Sequence, residues 1–185
     1  MRPTTSLAGA GDPAGAPKTS AVLTVDIARA AAASVLDPEL PVLTLLDLGV
    51  LRDVEVDRDG RVTVTVTPTY SGCPAMEVME RDVADAVHAA GFAEVVVRRV
   101  LSPAWTTDWI SAEGRRKLED YGIAPPGPAS PHDPAGGPVA LTLSVRCPQC
   151  GSLDTRETSR FGSTACKSLW QCQACREPFD HVKAI

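Results

Sequence analysis

The sequence predicts an α+β chain of two units, a small α/β domain followed by a ribbon held by four cysteines. Three observations predict it. Two valine-rich runs, 49–56 and 61–67, flank Asp59-Gly60; apolar residues recur at helical spacing from Met76 to Val87; and beyond a proline-rich stretch, two Cys-x-x-Cys pairs stand 21 residues apart.

Taken in chain order, residues 1–20 are mostly Gly, Pro, Ala and Thr. Without large apolar groups such a segment cannot offset the entropy of ordering, so a disordered leader is expected. Thr24 or Asp26 caps a helix running to about Ser34, with Val22, Val25 and Ile27 among its apolar positions. Asp37-Pro38-Glu39 breaks it, because proline disfavours helical geometry at the preceding residue. A first strand spans Gly49–Val56. A second, Arg61–Thr67, alternates Val62, Val64 and Val66 on one face with Thr63, Thr65 and Thr67 on the other. Asp59-Gly60 between them is a hairpin signal. The loop from Pro68 to Cys73 leads into a helix whose first position suits Pro74 and whose apolar face carries Met76, Met79, Val83, Ala86 and Val87; Gly91 stops it. Val95-Val96-Val97 and Val100-Leu101 read as a third strand, and Ser111–Tyr121 as a short polar helix ending at Gly122. Six prolines and three glycines within 124–138 mark a linker. The expected division is a leader at 1–20, the α/β domain at 21–123, the linker at 124–140 and the cysteine unit at 141–185.

The net charge is −5, with 10 basic and 17 acidic residues in 21–123 but 6 and 4 in 141–185. That balance argues against a protein whose work is holding nucleic acid, including a nucleic-acid-binding zinc ribbon. No run approaches the ~18–20 apolar residues of a membrane helix, and no secretory h-region is visible. A cytoplasmic chain is expected, with no membrane partner and thiols kept reduced. The six cysteines are therefore read as metal ligands or reactive thiols before disulfides. Histidine–nucleophile pairings, phosphate loops and dinucleotide fingerprints are lacking, so a non-catalytic protein is expected.

Cys147, Cys150, Cys172 and Cys175 have the spacing of a tetrahedral site, each short turn aiming two sulfurs at one point. A unit this short lacks a sizeable core, so metal binding must supply much of its folding energy. Zinc is the expected ion and iron its main competitor. Four cysteines leave no open position, which makes the site a scaffold. The first pair resembles a rubredoxin knuckle, but the second is followed by Arg176 where glycine would stand. His181 is an alternative ligand; His88 and His132 have no neighbour that suggests chemistry. Cys73, ahead of a helix, reads either as a low-pKa thiolate able to hold iron or as a small core residue. Asp37 and Glu39 are oxygen donors or simply a turn and a surface charge. Cys166 either packs at the ribbon tip or presents a thiol to a partner. Trp105, Trp109 and Trp170 read as half-exposed anchors or as core.

With these residues in view, the chain resembles the PaaD (PaaJ) family, the D subunits of the bacterial phenylacetyl-CoA epoxidase (oxygenase) system, over about 21–185. Its first unit resembles the wider family of small iron–sulfur assembly domains through Asp37-Pro38-Glu39, Asp47-Leu48-Gly49-Val50 and Thr67 to Ala75. Ser102 to Ile110, Phe161 to Lys167 and Glu177-Pro178-Phe179 narrow the likeness to PaaD. The resemblance implies an iron–sulfur-assembly-like domain with a mixed sheet plus a four-cysteine zinc ribbon. It also implies an accessory protein that helps load the iron–sulfur reductase or the di-iron subunit. It places iron or a transient cluster at Cys73, with Asp37 and Glu39 as helpers, in a chain that could pair as a homodimer. A general iron–sulfur carrier is the competing reading.

Overall fold

The computed structural model describes residues 24–70, 72, 75–127 and 144–184; the leader, Val22, Cys73, Pro74, His132 and most of the proline-rich stretch lie outside the described residues. Helix α1, Val25–Ala33, starts where the Thr24 hydroxyl accepts from the Ile27 N–H, so Thr24 is the cap and Asp26 sits in the first turn. Its buried face is Ala28 and Ala32, small enough to let the helix lie close on the sheet. Strand β1, Leu51–Val56, runs antiparallel to β2, Val62–Val66. The turn between them is locked by the Asp57 carboxylate, which accepts from the N–H groups of Asp59 and Arg61, and by Gly60 at φ +82°. Helix α2, Met76–Ala89, buries Met76, Met79, Val83 and Val87 and crosses over to β3, Val95–Arg99, which pairs parallel to β2. The sheet is mixed, in the order β1-β2-β3.

Two local expectations shift. Thr65 and Thr67 are buried along with the valines of β2, so the far end of this central strand is covered on both faces. Val100 and Leu101 lie past β3: the Val100 N–H still donates to the Val66 carbonyl, but β2 ends there and Leu101 is left exposed.

Segment 44–50 receives the chain that follows β3. The Asp47 carboxylate accepts from the Thr44 N–H and hydroxyl and pairs with Lys117 at 2.7 Å, while its backbone carbonyl accepts from the Ser111 N–H. Ser111 in turn caps α3, Ala112–Asp120. Burial alone would raise the Asp47 carboxyl; Lys117 and the Thr44 donors outweigh it and hold it below the usual carboxylate range. A depressed folded pKa stabilises above the unfolded value and is lost as pH falls through the folded one. Asp47→Asn should therefore cost roughly 2–3 kcal/mol near neutral pH. The gap to wild type should close as pH drops below about 4, read from urea unfolding of both proteins side by side. A gap independent of pH would remove the ion pair from this account.

The second unit is an antiparallel meander of β4, Thr155–Ser159, β5, Lys167–Cys172, and β6, Pro178–Val182. Its own core is small: Ala124, Val145, Cys147, Trp170, Cys172 and Phe179. The two units are joined by packing as well as by chain. Val182 belongs to the larger core of the first unit, and Ala124 bonds in parallel along β6, donating to Asp180 and accepting from Val182 at 2.8 and 3.0 Å.

Candidate metal centre and the seam between the units

The two cysteine turns are built alike. In the first, the Gly151 N–H donates to the Cys147 carbonyl and the Cys147 N–H to Ser152, both at 2.9 Å; in the second, Arg176 donates to Cys172 and Cys172 to Glu177 at 3.1 and 3.0 Å. Each turn needs a left-handed residue in fifth place, Gly151 at φ +75° and Arg176 at +70°. Arg176 accepts a strain of about 1–2 kcal/mol there. The departure from glycine that the sequence displays thus changes the cost of the turn and leaves its shape intact.

The turns bring Cys147 Sγ to 3.7 Å from Cys175 Sγ and Cys150 Sγ to 3.6 Å from Cys172 Sγ, with all four sulfurs within 4.8 Å of one another. Four sulfurs at ~2.3 Å from one ion stand about 3.8 Å apart at the corners of a tetrahedron. The donor set fits a tetrahedral four-thiolate ion with little adjustment. The Cys175 N–H directed at Cys172 Sγ holds that thiol down to about 6. At Cys175 the Glu177 amide pulls the same way, but desolvation and the neighbouring sulfurs outweigh it and push the thiol up to about 12. Crowded thiols resist joint ionisation; a cation at their centre removes that resistance.

His181 is not part of this cluster. It lies buried on β6, edge-on to Trp170 at 5.8 Å and bonded to Ser168 Oγ, and burial pushes its imidazole down to about 4. It is a neutral core histidine. His88, exposed on α2, bonds through Nδ1 to the Phe92 carbonyl, while His132 lies outside the described residues.

Asp37, Glu39 and Cys166 meet at the seam. Asp37 is 3% exposed, and its Oδ1 accepts from the N–H groups of Glu39 and Leu40 at 2.8 and 2.7 Å. Burial pushes its carboxyl up against the pull of those amides. The Cys166 thiol donates to Glu39 Oε2 at 3.8 Å and lies 3.1 Å from Thr164 Oγ1; burial pushes it up as well. The three residues line a cavity of about 20 Å³ together with Thr69, Met79, Trp105, Val182 and Lys183. That is room for one water-sized guest. Cys73, the remaining candidate, lies outside the described residues.

The tryptophans divide. Trp105 is not a partner surface: it is 6% exposed, and its indole N–H donates to the Leu48 carbonyl at 2.9 Å, which fixes it as a cavity wall. Trp170 is core, bonded to Ser168 Oγ. Trp109 stays half-buried with the Arg52 guanidinium 3.6 Å above its ring, a cation–π contact. Sequence reasoning missed the ribbon's share of the cavity, Val182 and Lys183, and the buried Lys167, 3.6 Å from Asp180. Pro178-Phe179-Asp180-His181-Val182 shows no apolar alternation, so nothing in the strand's own sequence signalled it.

A mixed-sheet α/β domain fastened to a four-thiolate ribbon defines a metal-binding protein of two units. Known families match those units separately: an iron–sulfur cluster assembly protein family at residues 26–98, and the PaaD zinc beta ribbon domain at 131–183. The chain belongs to the family of 1,2-phenylacetyl-CoA epoxidase D subunits. It is 48% identical over 149 residues, 80% of this chain and 86% of the other, to the Escherichia coli K12 protein provisionally named as the D subunit of 1,2-phenylacetyl-CoA epoxidase. It is also 38% identical over 86 residues, 46% of this chain and 81% of the other, to an Fe-S protein maturation auxiliary factor of Porphyromonas gingivalis. A Bacillus subtilis protein of the same description, YitW, is 39% identical over 80 residues, 42% of this chain and 76% of its own length. Among the described residues no helix is long and apolar enough to cross a membrane.

Proposed function

We propose that this chain is an accessory maturation subunit of the multicomponent phenylacetyl-CoA epoxidase, assisting assembly of an iron–sulfur or di-iron centre in phenylacetate catabolism. The observation that carries the reading is the likeness to the epoxidase D subunit along 80% of the chain. Relatives over the first unit that are called maturation auxiliary factors support an assembly role for it. In this reading the ribbon holds zinc through Cys147, Cys150, Cys172 and Cys175 as a structural ion, because four thiolates leave no position for substrate. The first unit handles the cargo, iron or a transient cluster, through Cys73 with Asp37 and Glu39. One thiolate cannot hold a cluster that normally takes four, which favours sharing across a homodimer or with the client. The client is the iron–sulfur reductase or the di-iron subunit of the oxygenase complex, and the setting is the cytoplasm. The chain itself is not an enzyme.

Cys73→Ser tests this. The variant should fold and keep its zinc, yet a strain carrying it should form no active oxygenase; ordinary oxygenase activity there would refute the role. The likeness to general maturation factors favours a second reading, a carrier with many clients. A deletion strain that fails on phenylacetate alone excludes the carrier, and broad loss of iron–sulfur enzymes supports it.

A further inference from the structure

We propose that the ribbon is a hinged, self-inhibitory cover: in its docked position it shuts the seam cavity, and it must swing off as a folded, zinc-loaded body before cargo can pass. The cargo is that of the maturation reading, on which this regulation rests; the hinge and the closure stand on geometry alone.

The cavity lies where sheets with parallel strands take their ligands, outside the carboxyl ends of those strands. Thr69 follows the end of β2, Trp105 follows β3, and Met79 stands in the first turn of α2. The ribbon closes the space with Cys166, Val182 and Lys183. These three belong to one rigid patch. The Lys183 N–H donates to the Cys166 carbonyl at 2.9 Å, and Val182 pairs in register with Lys167, the residue after Cys166. What they leave is about 20 Å³, room for one water-sized guest. An iron–sulfur cluster, several iron and sulfide atoms with their thiolates, does not fit there. As docked, the ribbon keeps cargo out.

The ribbon can also come away whole. Ile123 is buried in the first unit's core and Ala124, the next residue, in the ribbon's, so the boundary falls on a single peptide bond. Gly122, at φ +83°, stands directly before it. Among the described residues Val182 is the ribbon's only member of the first unit's core, a peg in a socket. The polar ties across the seam are also slight: the Arg115 guanidinium donates to the Pro126 carbonyl at 2.6 Å, and the Cys166 thiol donates to Glu39 at 3.8 Å. Neither the four sulfurs nor the ribbon's own core is broken when these contacts part. A partner that binds the undocked form better than the docked one shifts the chain toward it. The plain alternative is a fixed joint that never opens while zinc is bound.

The test uses the full chain, zinc-loaded and anaerobic, as wild type, Val182→Ala and Val182→Ser. Alkylation of Cys166 by iodoacetamide, separated from that of Cys73 by peptide mass, reads the opening. Addition of iron(II) with sulfide, followed by the visible absorbance of bound cluster, reads the entry of cargo. Val182→Ala should speed Cys166 alkylation roughly tenfold and Val182→Ser further, with zinc retained, and cluster uptake should rise in the same order. Should Val182→Ser fail to fold, Val182→Ala decides alone. Alkylation indifferent to Val182, zinc lost in step with opening, or uptake equal in all three proteins or absent from all three overturns the cover. If Cys73→Ser abolishes oxygenase formation in cells while the Val182 variants behave as wild type, the cover falls and the maturation reading stands. If Cys73→Ser leaves oxygenase formation normal while Val182→Ala still opens Cys166 with zinc retained, the maturation reading falls and the hinge stands.

Discussion

Stripping the ribbon of its metal, by chelation or by Cys172→Ser, should unfold residues 144–184 and uncover Asp37 and Glu39, while the β1-β2-β3 domain stays folded. Among the described residues the ribbon's own core is six side chains, and two of them, Cys147 and Cys172, are candidate ligands. Ordering some forty residues costs on the order of 1–2 kcal/mol each in backbone entropy, far beyond what so few buried side chains return. Structural zinc supplies roughly 10–16 kcal/mol to units of this kind. The grip of the first unit, Val182 in its core and two hydrogen bonds at Ala124, is worth only about 3–5 kcal/mol. It cannot hold the meander once the ion is gone. Hydrogen exchange should show protection lost across β4, β5 and β6 and kept in α2 and β2, and Cys166 should become open to alkylation. Slow exchange throughout the metal-free ribbon would mean that its side chains suffice, and the four thiolates would lose their place as the source of its stability.

Gly49→Ala should be strongly destabilising. Gly49 has φ +73°, and a Cβ there would lie 2.6 Å from Trp109 Cβ and 2.7 Å from the Trp109 carbonyl oxygen. Left-handed strain of about 1–2 kcal/mol adds to a clash with backbone that has no rotamer to escape into, for a total of roughly 3–5 kcal/mol. The loss should spread, because the same turn receives the Trp105 indole at Leu48 and the Ser111 amide at Asp47. Gly60→Ala is the control. Its φ is +82°, but nothing lies within 4 Å of the added carbon, so only the backbone strain remains. Denaturant midpoints of the two variants should differ severalfold in their shift; equal shifts would mean that the contact with Trp109 is soft.

These sites also mark what the amino-acid order discloses and what it withholds. Asp57 to Arg61 closes its own hairpin, Met76 to Val87 presents its own stripe, and each cysteine turn closes on its own carbonyl, so all three are readable from neighbouring residues. Asp47-Leu48-Gly49 is recognisable as a motif, but its work is done on Trp105, Trp109, Ser111 and Lys117, some sixty to seventy residues away. Whether Trp105 faced water or a carbonyl depended on that distant docking. Cys166 is the extreme case: packing or presentation looked equal in its heptapeptide, because the deciding partner, Glu39, belongs to the other unit. Local periodicity reports elements; it does not report which surfaces will meet.

Ala124 and Val145, on either side of the proline-rich stretch, are both buried in the ribbon's core. Both residues that flank the stretch are thus anchored in one body. The entropy of closing a connection between two such anchors rises by only about 0.6 kcal/mol for each doubling of its length. Changes of length between Ala124 and Val145 should therefore leave the way ribbon and sheet domain face each other largely unaltered.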